Sequence, residues 1–206
     1  RFKNSIDVIF KNDNDVLDTY NFSEAICNLI IFLINTKNIN NQKEKILLNK
    51  LANHIISFPE NYLLITNNHL LNNARALIMA GVFLNNKRYI NTGLSIFDKC
   101  ELIFSDSNIF RERSSHYMLL INCWLFEILS VLESVSFNEK EKIVDQVLKY
   151  IKSHSDIISI VINHTNESIP LIGDISPDES PAFTKNKILN YFRDLKSNSL
   201  NQWKIK

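Results

Sequence analysis

Two short polar runs carry side chains that could do chemistry, and each stands where a helix is predicted to begin. The first is Asn67-Asn68-His69, just ahead of an apolar stretch with helical spacing. Capping by Thr66 or Asn67 explains one side chain at most, because a Thr or Asn at a helix start accepts from the free N–H groups of the first turn. Three consecutive hydrogen-bonding side chains exceed what a cap needs, and a helix N-terminus also favours anions. The run is therefore a candidate anion site as well as a cap.

The second run, Arg113-Ser-Ser-His-Tyr117, opens another apolar helix. Tyr117 heads the apolar stripe of that helix, so one interpretation is a core tyrosine with its hydroxyl at the rim. The other is a base. A phenol has a pKa of about 10, and a nearby cation and a helix N-terminus would stabilise its phenolate. Arg113 is four residues away on the same face and could supply the cation, whereas His116 points about 100° away.

The elements that would position these residues are helices. Three glycines and four prolines in 206 residues are too few for the turns of a sandwich or barrel. The stretch 157–162 could be helical or extended, and short turns favour an all-α fold of antiparallel helical hairpins. Hydrophobic periodicity predicts helices at about 21–36, 43–58, 67–84, 88–104, 112–134, 139–152 and 184–196.

Local signals add detail at both ends of the helical region. Asn21-Phe-Ser-Glu24 resembles a capping box, with Glu24 placed to reach back to the helix start. Residues 163–182 hold three of the four prolines and predict a long ordered loop anchored by Leu171 and Ile172. We divide the chain into an N-terminal polar segment (1–20), a helical domain (21–196) and a polar tail (197–206).

Composition excludes several functions. The formal net charge is +1, without the basic surplus that binding to a phosphate backbone requires. The most apolar run, 25–34, is too short to span a membrane. Cys27, Cys100 and Cys123 lack any CxxC or Cys/His metal spacing, so three free, buried thiols are expected. The chain begins at Arg1 without a signal-peptide pattern, which suggests a segment of a longer protein.

Taken together, the two polar runs resemble a known family. The run Asn67-Asn-His-Leu-Leu-Asn-Asn-Ala-Arg-Ala-Leu-Ile-Met-Ala-Gly81 is similar to the Asn-Asn-His helix of heparinase II/III-type polysaccharide lyases. Glu112-Arg-Ser-Ser-His-Tyr117 is similar to that family's Glu-Arg-Ser-x-x-Tyr motif. Tyr20-Asn-Phe-Ser-Glu24 and Pro170-Leu-Ile-Gly-Asp-Ile-Ser-Pro-Asp178 resemble segments of its bacterial, capsule-locus branch. Order and spacing agree from about residue 20 to 182.

The resemblance implies an incomplete (α/α) toroid, normally followed by a C-terminal β-sandwich domain that is not expected within this chain. It also implies β-elimination at a uronic acid. Asn68 would neutralise the sugar carboxylate, Tyr117 would transfer protons as base, acid or both, and His69 would assist. Bidentate geometry makes Arg113 the expected carboxylate clamp. The remaining expected substrate contacts are Asn67, His116 and Asp174.

The expected partner is an acidic polysaccharide, with no nucleic acid and no membrane span, in a bacterial periplasm or cytoplasm. No cofactor is expected in this segment; the family implies zinc, and a further catalytic histidine, in or beyond the region after the toroid. His154 and His164 lie in the wrong context to replace that histidine. Two other classes stay open: a non-catalytic glycan-binding or assembly module on the same scaffold, and a helical protein-interaction domain.

Overall fold

The structure, a computed structural model, describes residues 19–59, 67–100, 114–163, 169–175 and 179–197. Within these ranges every regular element is helical and no strand occurs, which confirms the predicted all-α class. The helices are α1 (Thr19–Asn35), α2 (Gln42–Ser57), α3 (Asn68–Leu84), α4 (Lys87–Lys99), α5 (Ser115–Ser134), α6 (Lys140–Asn163) and α7 (Pro181–Ser197).

Two local predictions can be compared with these bounds. The stretch 157–162, left open between helix and strand, belongs to the continuous helix α6. The capping box at Asn21–Glu24 is wrong, because α1 already includes Thr19 and Glu24 bonds to α3 instead of reaching back. Residues 1–18 of the predicted N-terminal segment (1–20) and 198–206 of the predicted tail (197–206) lie outside the described residues, as do the predicted helix ends at 101–104 and 112–113. Thr19 and Tyr20 belong to α1, and Ser197 to α7.

The helices pack in two sets. The odd-numbered helices form a row in which α1 packs on α3, α3 on α5, and α5 on α7. The even-numbered helices lie against this odd-helix row, with α2 on α1 and α3, α4 on α3, and α6 on α5. Nearly every residue of α3 and α5 is buried, so these two helices form the centre of the core.

Side-chain contacts give the relative directions of two packed helices. In a parallel pair, later residues of one helix contact later residues of the other, whereas in an antiparallel pair they contact earlier ones. By this test α1 and α3 are parallel, as are α5 and α7, and α4 and α6. Helices α3 and α4 form an antiparallel hairpin, and α5 and α6 another, so α3 and α5 are parallel too. The pairs are Tyr20–His69, Glu24–Asn72, Gly81–Ile90, Gly93–Ile78, Lys87–Glu139, Phe97–Tyr150, Asn122–His154, His116–Thr184 and Phe126–Tyr191. The four odd helices therefore begin at the same end of the molecule.

The α3–α4 hairpin is the closest of these packings. Its turn is short because Asn85 adopts a left-handed conformation (φ 53°) and Asn86 caps α4 directly after it. A Cβ on Gly81 would lie 2.5 Å from Ile90 Cγ1 and 2.8 Å from the Ile90 backbone nitrogen. Gly93 is equally confined on the facing helix. The absence of two side chains thus lets the two backbones approach each other.

Helix α5 is the single helix in the described part of the chain that is long and apolar enough to cross a membrane by length and composition. Most of it is buried against α3, α6 and α7. The core helix of a globular protein has the same composition, because it is also surrounded by apolar neighbours.

Candidate functional site

The start of α3 holds the first polar run, and its side chains bond to the helix end. Asn67 is the N-cap, and its Oδ1 accepts the Leu70 N–H at 2.9 Å. Asn68 is the first helical residue, is 9% exposed, and its Oδ1 accepts the His69 N–H at 3.0 Å. The capping interpretation is therefore correct for Asn67. The first-turn N–H groups of His69 and Leu70 already have side-chain acceptors, so a ligand here would meet side chains rather than these donors.

His69 is half-buried beside the start of α1. Its ring centroid lies 4.7 Å from that of Tyr20, at an interplanar angle of 42°. Tyr20 opens one of the segments that carry the family resemblance, so the contact joins two of those segments in space.

The start of α5 holds the second polar run. Ser114 caps this helix, with its Oγ accepting the Tyr117 N–H at 3.0 Å. Tyr117 is half-buried and packs at the edge of the core, and the expected position of its hydroxyl at the rim stays a prediction. Arg113, the expected carboxylate clamp, lies outside the described residues.

A loop formed by residues 169–175 lies against this helix start. The Ser115 N–H donates to the Ile172 carbonyl at 3.0 Å, and the Ile172 N–H donates to Ser115 Oγ at 3.1 Å. Ser115 Oγ also donates to the Pro170 carbonyl, and Ser114 Oγ donates to the Asp174 carbonyl. The two serines of the motif thus hold the loop by its backbone, next to Tyr117.

The predicted anchors of this loop are wrong. Leu171 and Ile172 have side chains that are 55% and 60% exposed. Ile169 is the buried apolar residue, at 3% exposure, and the serine hydrogen bonds supply the remaining attachment. The side chain of Asp174 is exposed, and its expected role as a substrate contact stays a prediction.

His116 points away from the helix end into the α5–α7 contact. It is fully buried, and its Nε2 lies 3.0 Å from Thr184 Oγ1. Burial lowers the pKa of His116, an effect that the charge of Glu179 partly opposes. The ring therefore belongs to the packing of α7 in this structure, and its expected contact with substrate stays a prediction.

The positions of Asn68 and Tyr117 follow from one contact deeper in the helices. The Arg75 guanidinium lies 5.2 Å from the centre of the Trp124 ring, which joins α3 to α5. Asn68 precedes Arg75 by seven residues, and Tyr117 precedes Trp124 by seven, so each shares a stripe with its partner. Because α3 and α5 are parallel, Asn68 and Tyr117 both lie about 10 Å nearer the common N-terminal end.

Further along the helices from this end lies a set of charged side chains that the sequence analysis does not predict. They form a ladder across the odd-helix row, with one charge from each of the four odd helices and one from Glu179, which precedes α7. Arg75 Nη1 donates to Glu24 Oε1 at 2.8 Å and Arg75 Nη2 donates to Glu127. Lys187 Nζ contacts Glu127 at 2.9 Å and Glu179 at 3.2 Å. We call Glu24, Arg75, Glu127, Lys187 and Glu179 the polar ladder.

The buried charges of the ladder stay ionised because each lies next to a charge of opposite sign. Burial raises the pKa of Glu127, but Arg75 and Lys187 outweigh it and hold that pKa below its ordinary value. Burial lowers the pKa of Lys187, but Glu127 outweighs it and raises that pKa. Both groups are therefore charged at neutral pH although both are largely buried.

A sequence signal for the ladder existed. Arg75 stands between Ala74 and Ala76, and Glu127 between Phe126 and Ile128, so each is a single charge inside an apolar helix. A buried charge requires a partner. That signal marks the residues, whereas the partners become visible only once the helices are packed.

The described residues contain no cluster of three or more His, Cys, Asp or Glu side chains suited to a metal ion. Cys27, Cys100 and Cys123 are free and buried, as predicted. Burial raises the pKa of Cys100 to about 12, which keeps this thiol protonated and unreactive.

Comparison of the chain with protein-family models, curated proteins and solved structures gives no match.

Proposed function

We propose that this chain is the helical part of a heparinase II/III-like polysaccharide lyase that cleaves a uronate-containing glycan by β-elimination. One observation carries the proposal: Asn68 and Tyr117 lie at the same end of two packed, parallel helices, on the stripes that meet at Arg75 and Trp124. An amide and a phenol in that arrangement can flank one bound carboxylate. The motifs that resemble the family supply the same two residues.

Asn68 is the group suited to the sugar carboxylate. Its Oδ1 accepts the His69 N–H, which turns the amide so that Nδ2 is the donor left for an anion. The positive end of the α3 dipole adds to this preference. Hydrogen bonding to the carboxylate reduces its charge and makes the C5 proton of the uronate more acidic. The proposed role of Asn68 is therefore charge neutralisation.

Tyr117 is the group suited to proton transfer. In the elimination, the C5–H bond breaks and its proton goes to the Tyr117 oxygen. The electron pair forms the C4–C5 double bond, the C4–O glycosidic bond breaks, and the leaving oxygen takes a proton. Tyr117 can return that proton, with His69 as an assisting group beside α1. Arg113 would clamp the carboxylate.

The packing pattern supports an incomplete (α/α) toroid as the scaffold. In such a fold, helices alternate between an inner and an outer set and successive inner helices are parallel. The odd-helix row and the even-numbered helices around it follow that alternation. The inner helices would then begin at one rim, where a polymer can lie across several of them.

The test is Tyr117→Phe in the intact protein, assayed on a panel of uronate-containing polysaccharides by the absorbance of the new double bond. Loss of a general acid or base lowers turnover by about 10²–10⁴-fold. The matched control is Tyr89→Phe, which removes a hydroxyl bonded to Asn49 on the even-numbered helices and should leave turnover unchanged. Equal activity of Tyr117→Phe and wild type would reject the role assigned to Tyr117.

One observation favours the protein-interaction alternative. A groove of about 370 Å³ between α2 and α4 is lined by Ile55, Ile56 and Ile96, together with polar residues of α4. A protein partner bound there, with no affinity for acidic glycan, would replace the lyase proposal. Saturable glycan binding by an intact protein that yields no unsaturated product would instead indicate a binding or assembly module.

A further inference from the structure

Arg75 joins three helices of the odd-helix row, α1, α3 and α5, through the polar ladder. Its Nη1 donates to Glu24 of α1 and to Asn72 of its own helix, both at 2.8 Å. Its Nη2 donates to Glu127 of α5, and its guanidinium plane covers Trp124. The residue is 3% exposed. One side chain thus fixes the lateral positions of three helices.

The polar ladder continues from Glu127 to hydrogen bonds that reach His116, the residue before Tyr117. Lys187 bridges Glu127 and Glu179, and Glu179 Oε2 accepts from Thr184 Oγ1 at 3.3 Å. Thr184 Oγ1 in turn lies 3.0 Å from His116 Nε2. The connected polar groups therefore run from α1 through α3 and α5 to α7, and return to the first turn of α5.

Such a network differs from apolar packing in how it restricts movement. Apolar surfaces tolerate a shift of one helix along another with modest loss, because their attraction has no direction. A guanidinium bonded to two carboxylates on different helices has a fixed geometry, and buried partners have no water to replace a lost bond. The ladder therefore resists sliding of α1, α3 and α5 past one another.

We propose that Arg75 is a positioning residue that holds the starts of α3 and α5 in register through the polar ladder. Asn68 and Asn72 share its stripe on α3, and Tyr117 shares the stripe of Trp124 on α5. Movement of one helix by about 1 Å would change the separation of the amide and the phenol by a similar amount. As a role in catalysis, the inference rests on the proposed lyase function.

The experiment compares Arg75→Gln and Arg75→Lys with a matched control, Lys87→Gln. Lys87 and Glu139 form an exposed ion pair between α4 and α6, with side chains 68% and 62% exposed, so the control removes a cation outside the ladder. Two quantities are measured in the intact, folded proteins: the steady-state constants for unsaturated product, and amide hydrogen exchange in the first turns of α3 and α5.

In Arg75→Gln we expect kcat to fall about 10²-fold, the scale of a misplacement of about 1 Å. KM should stay within about threefold, because the groups that hold substrate remain present. Exchange in both first turns should rise about tenfold. Arg75→Lys keeps the charge but cannot bridge two carboxylates at once, so it should restore folding stability more than kcat. Lys87→Gln should match wild type in every measurement.

Two results would overturn the inference. The first is a folded Arg75→Gln protein whose kcat and exchange equal those of wild type. The second is full recovery of kcat by Arg75→Lys, which would show that charge alone matters. If Arg75→Gln does not fold, Glu24→Gln replaces it, because Glu24 is 30% exposed at the outer end of the ladder. If wild type forms no product, the lyase proposal fails, and hydrogen exchange alone decides whether the ladder holds the two helix starts.

Discussion

Helix α3 presents two faces of opposite chemistry to its neighbours. Toward α4 it is apolar and close, with Gly81 and Ile78 facing Ile90 and Gly93 at van der Waals distance. Toward α1 and α5 it is polar, with Asn72, Asn73 and Arg75 all 3% exposed or less. Asn73 donates to Ser23 at 2.9 Å, and Arg75 forms the ladder. The same helix therefore uses shape on one side and hydrogen-bond geometry on the other.

The two faces of α3 contribute to the fold in different ways. The α3–α4 face gains its stability from dispersion and from apolar surface removed from water, which requires only that the two surfaces fit. The α1–α3–α5 face gains less net free energy from each contact, because the charges must first lose water. It gains directional contacts in return. The proposed site is at the end of the second face, where direction matters more than strength.

The largest loss of stability is expected when the polar contacts of α3 with α1 and α5 are removed. Arg75→Met would leave Glu127 buried with Lys187 as its remaining cation, and Glu24 with Asn72 as its remaining partner on α3. We expect the free energy of unfolding to fall by about 3 kcal/mol, the lower part of the range for a broken buried pair because Lys187 remains. Urea denaturation monitored by circular dichroism measures the change.

The exposed pair between α4 and α6 provides the reference for that measurement. Lys87→Met removes one partner of Glu139 at the surface, so the loss should stay under about 0.5 kcal/mol. Equal losses in the two variants would show that burial does not strengthen the ladder, and the contrast between the two regions would disappear.

The apolar face is broken by adding one methyl group. In Gly81→Ala the new Cβ would meet the backbone nitrogen of Ile90 at 2.8 Å, and in Gly93→Ala the carbonyl of Ala74 at 3.0 Å. Since backbone atoms cannot move aside alone, the helices must separate, at a cost of about 1–3 kcal/mol. Thermal unfolding of each variant measures this cost. A neutral result would mean that the hairpin is less closely packed than described.

The smallest expected change in stability depends on pH, and it concerns only the polar face of α3, where the contacts include ionised groups. The folded protein holds the pKa of Glu127 below its ordinary value of 4.5, so the unfolded chain takes up the proton first as pH falls. The stability that Glu127 contributes is present above that pH and is lost as pH falls through the folded pKa. The difference in the free energy of unfolding between wild type and Glu127→Gln should therefore become smaller below about pH 4.5, by at most about 1.4 kcal/mol per pH unit.

Urea titrations at pH 7 and pH 3.5 give this difference directly. Glu139→Gln is the matched control, because the same change at an exposed pair should cost under about 0.5 kcal/mol at either pH. Gly81→Ala removes no titrating group, so its cost should be independent of pH. A constant difference for Glu127→Gln would show that Glu127 is not held ionised by its neighbours.

Periodicity alone predicted the helices well, because each central helix is apolar over several turns. It failed where the determining contact is remote. Glu24 fits the spacing of a capping box, yet its carboxylate bonds to α3, 48 residues away at Asn72. Leu171 and Ile172 are the predicted anchors because they are apolar, but the loop is attached by Ile169 and by its own backbone groups, and backbone bonds leave no mark in a sequence pattern.

The candidate site divides in the same way. The sequence predicts a cap at Thr66 or Asn67, and the structure has it at Asn67, because this bond depends only on the local helix end. The parallel arrangement of α3 and α5, which brings Asn68 and Tyr117 to one end, depends on how two hairpins pack together. Local sequence does not encode the partner of Arg75 on α5, so the sequence does not predict the ladder, although Arg75 and Glu127 stand out as single charges in apolar helices.

The seating of loop 169–175 on Ser115 has a consequence for the order in which the protein assembles. The first N–H of α5 finds its acceptor in Ile172, 57 residues further along the chain. On the ribosome, therefore, the Ser115 N–H at the beginning of this central helix lacks its acceptor until α6 and the loop have emerged. Closing so large a ring is a slow step, and Tyr117 reaches its final surroundings only after that closure.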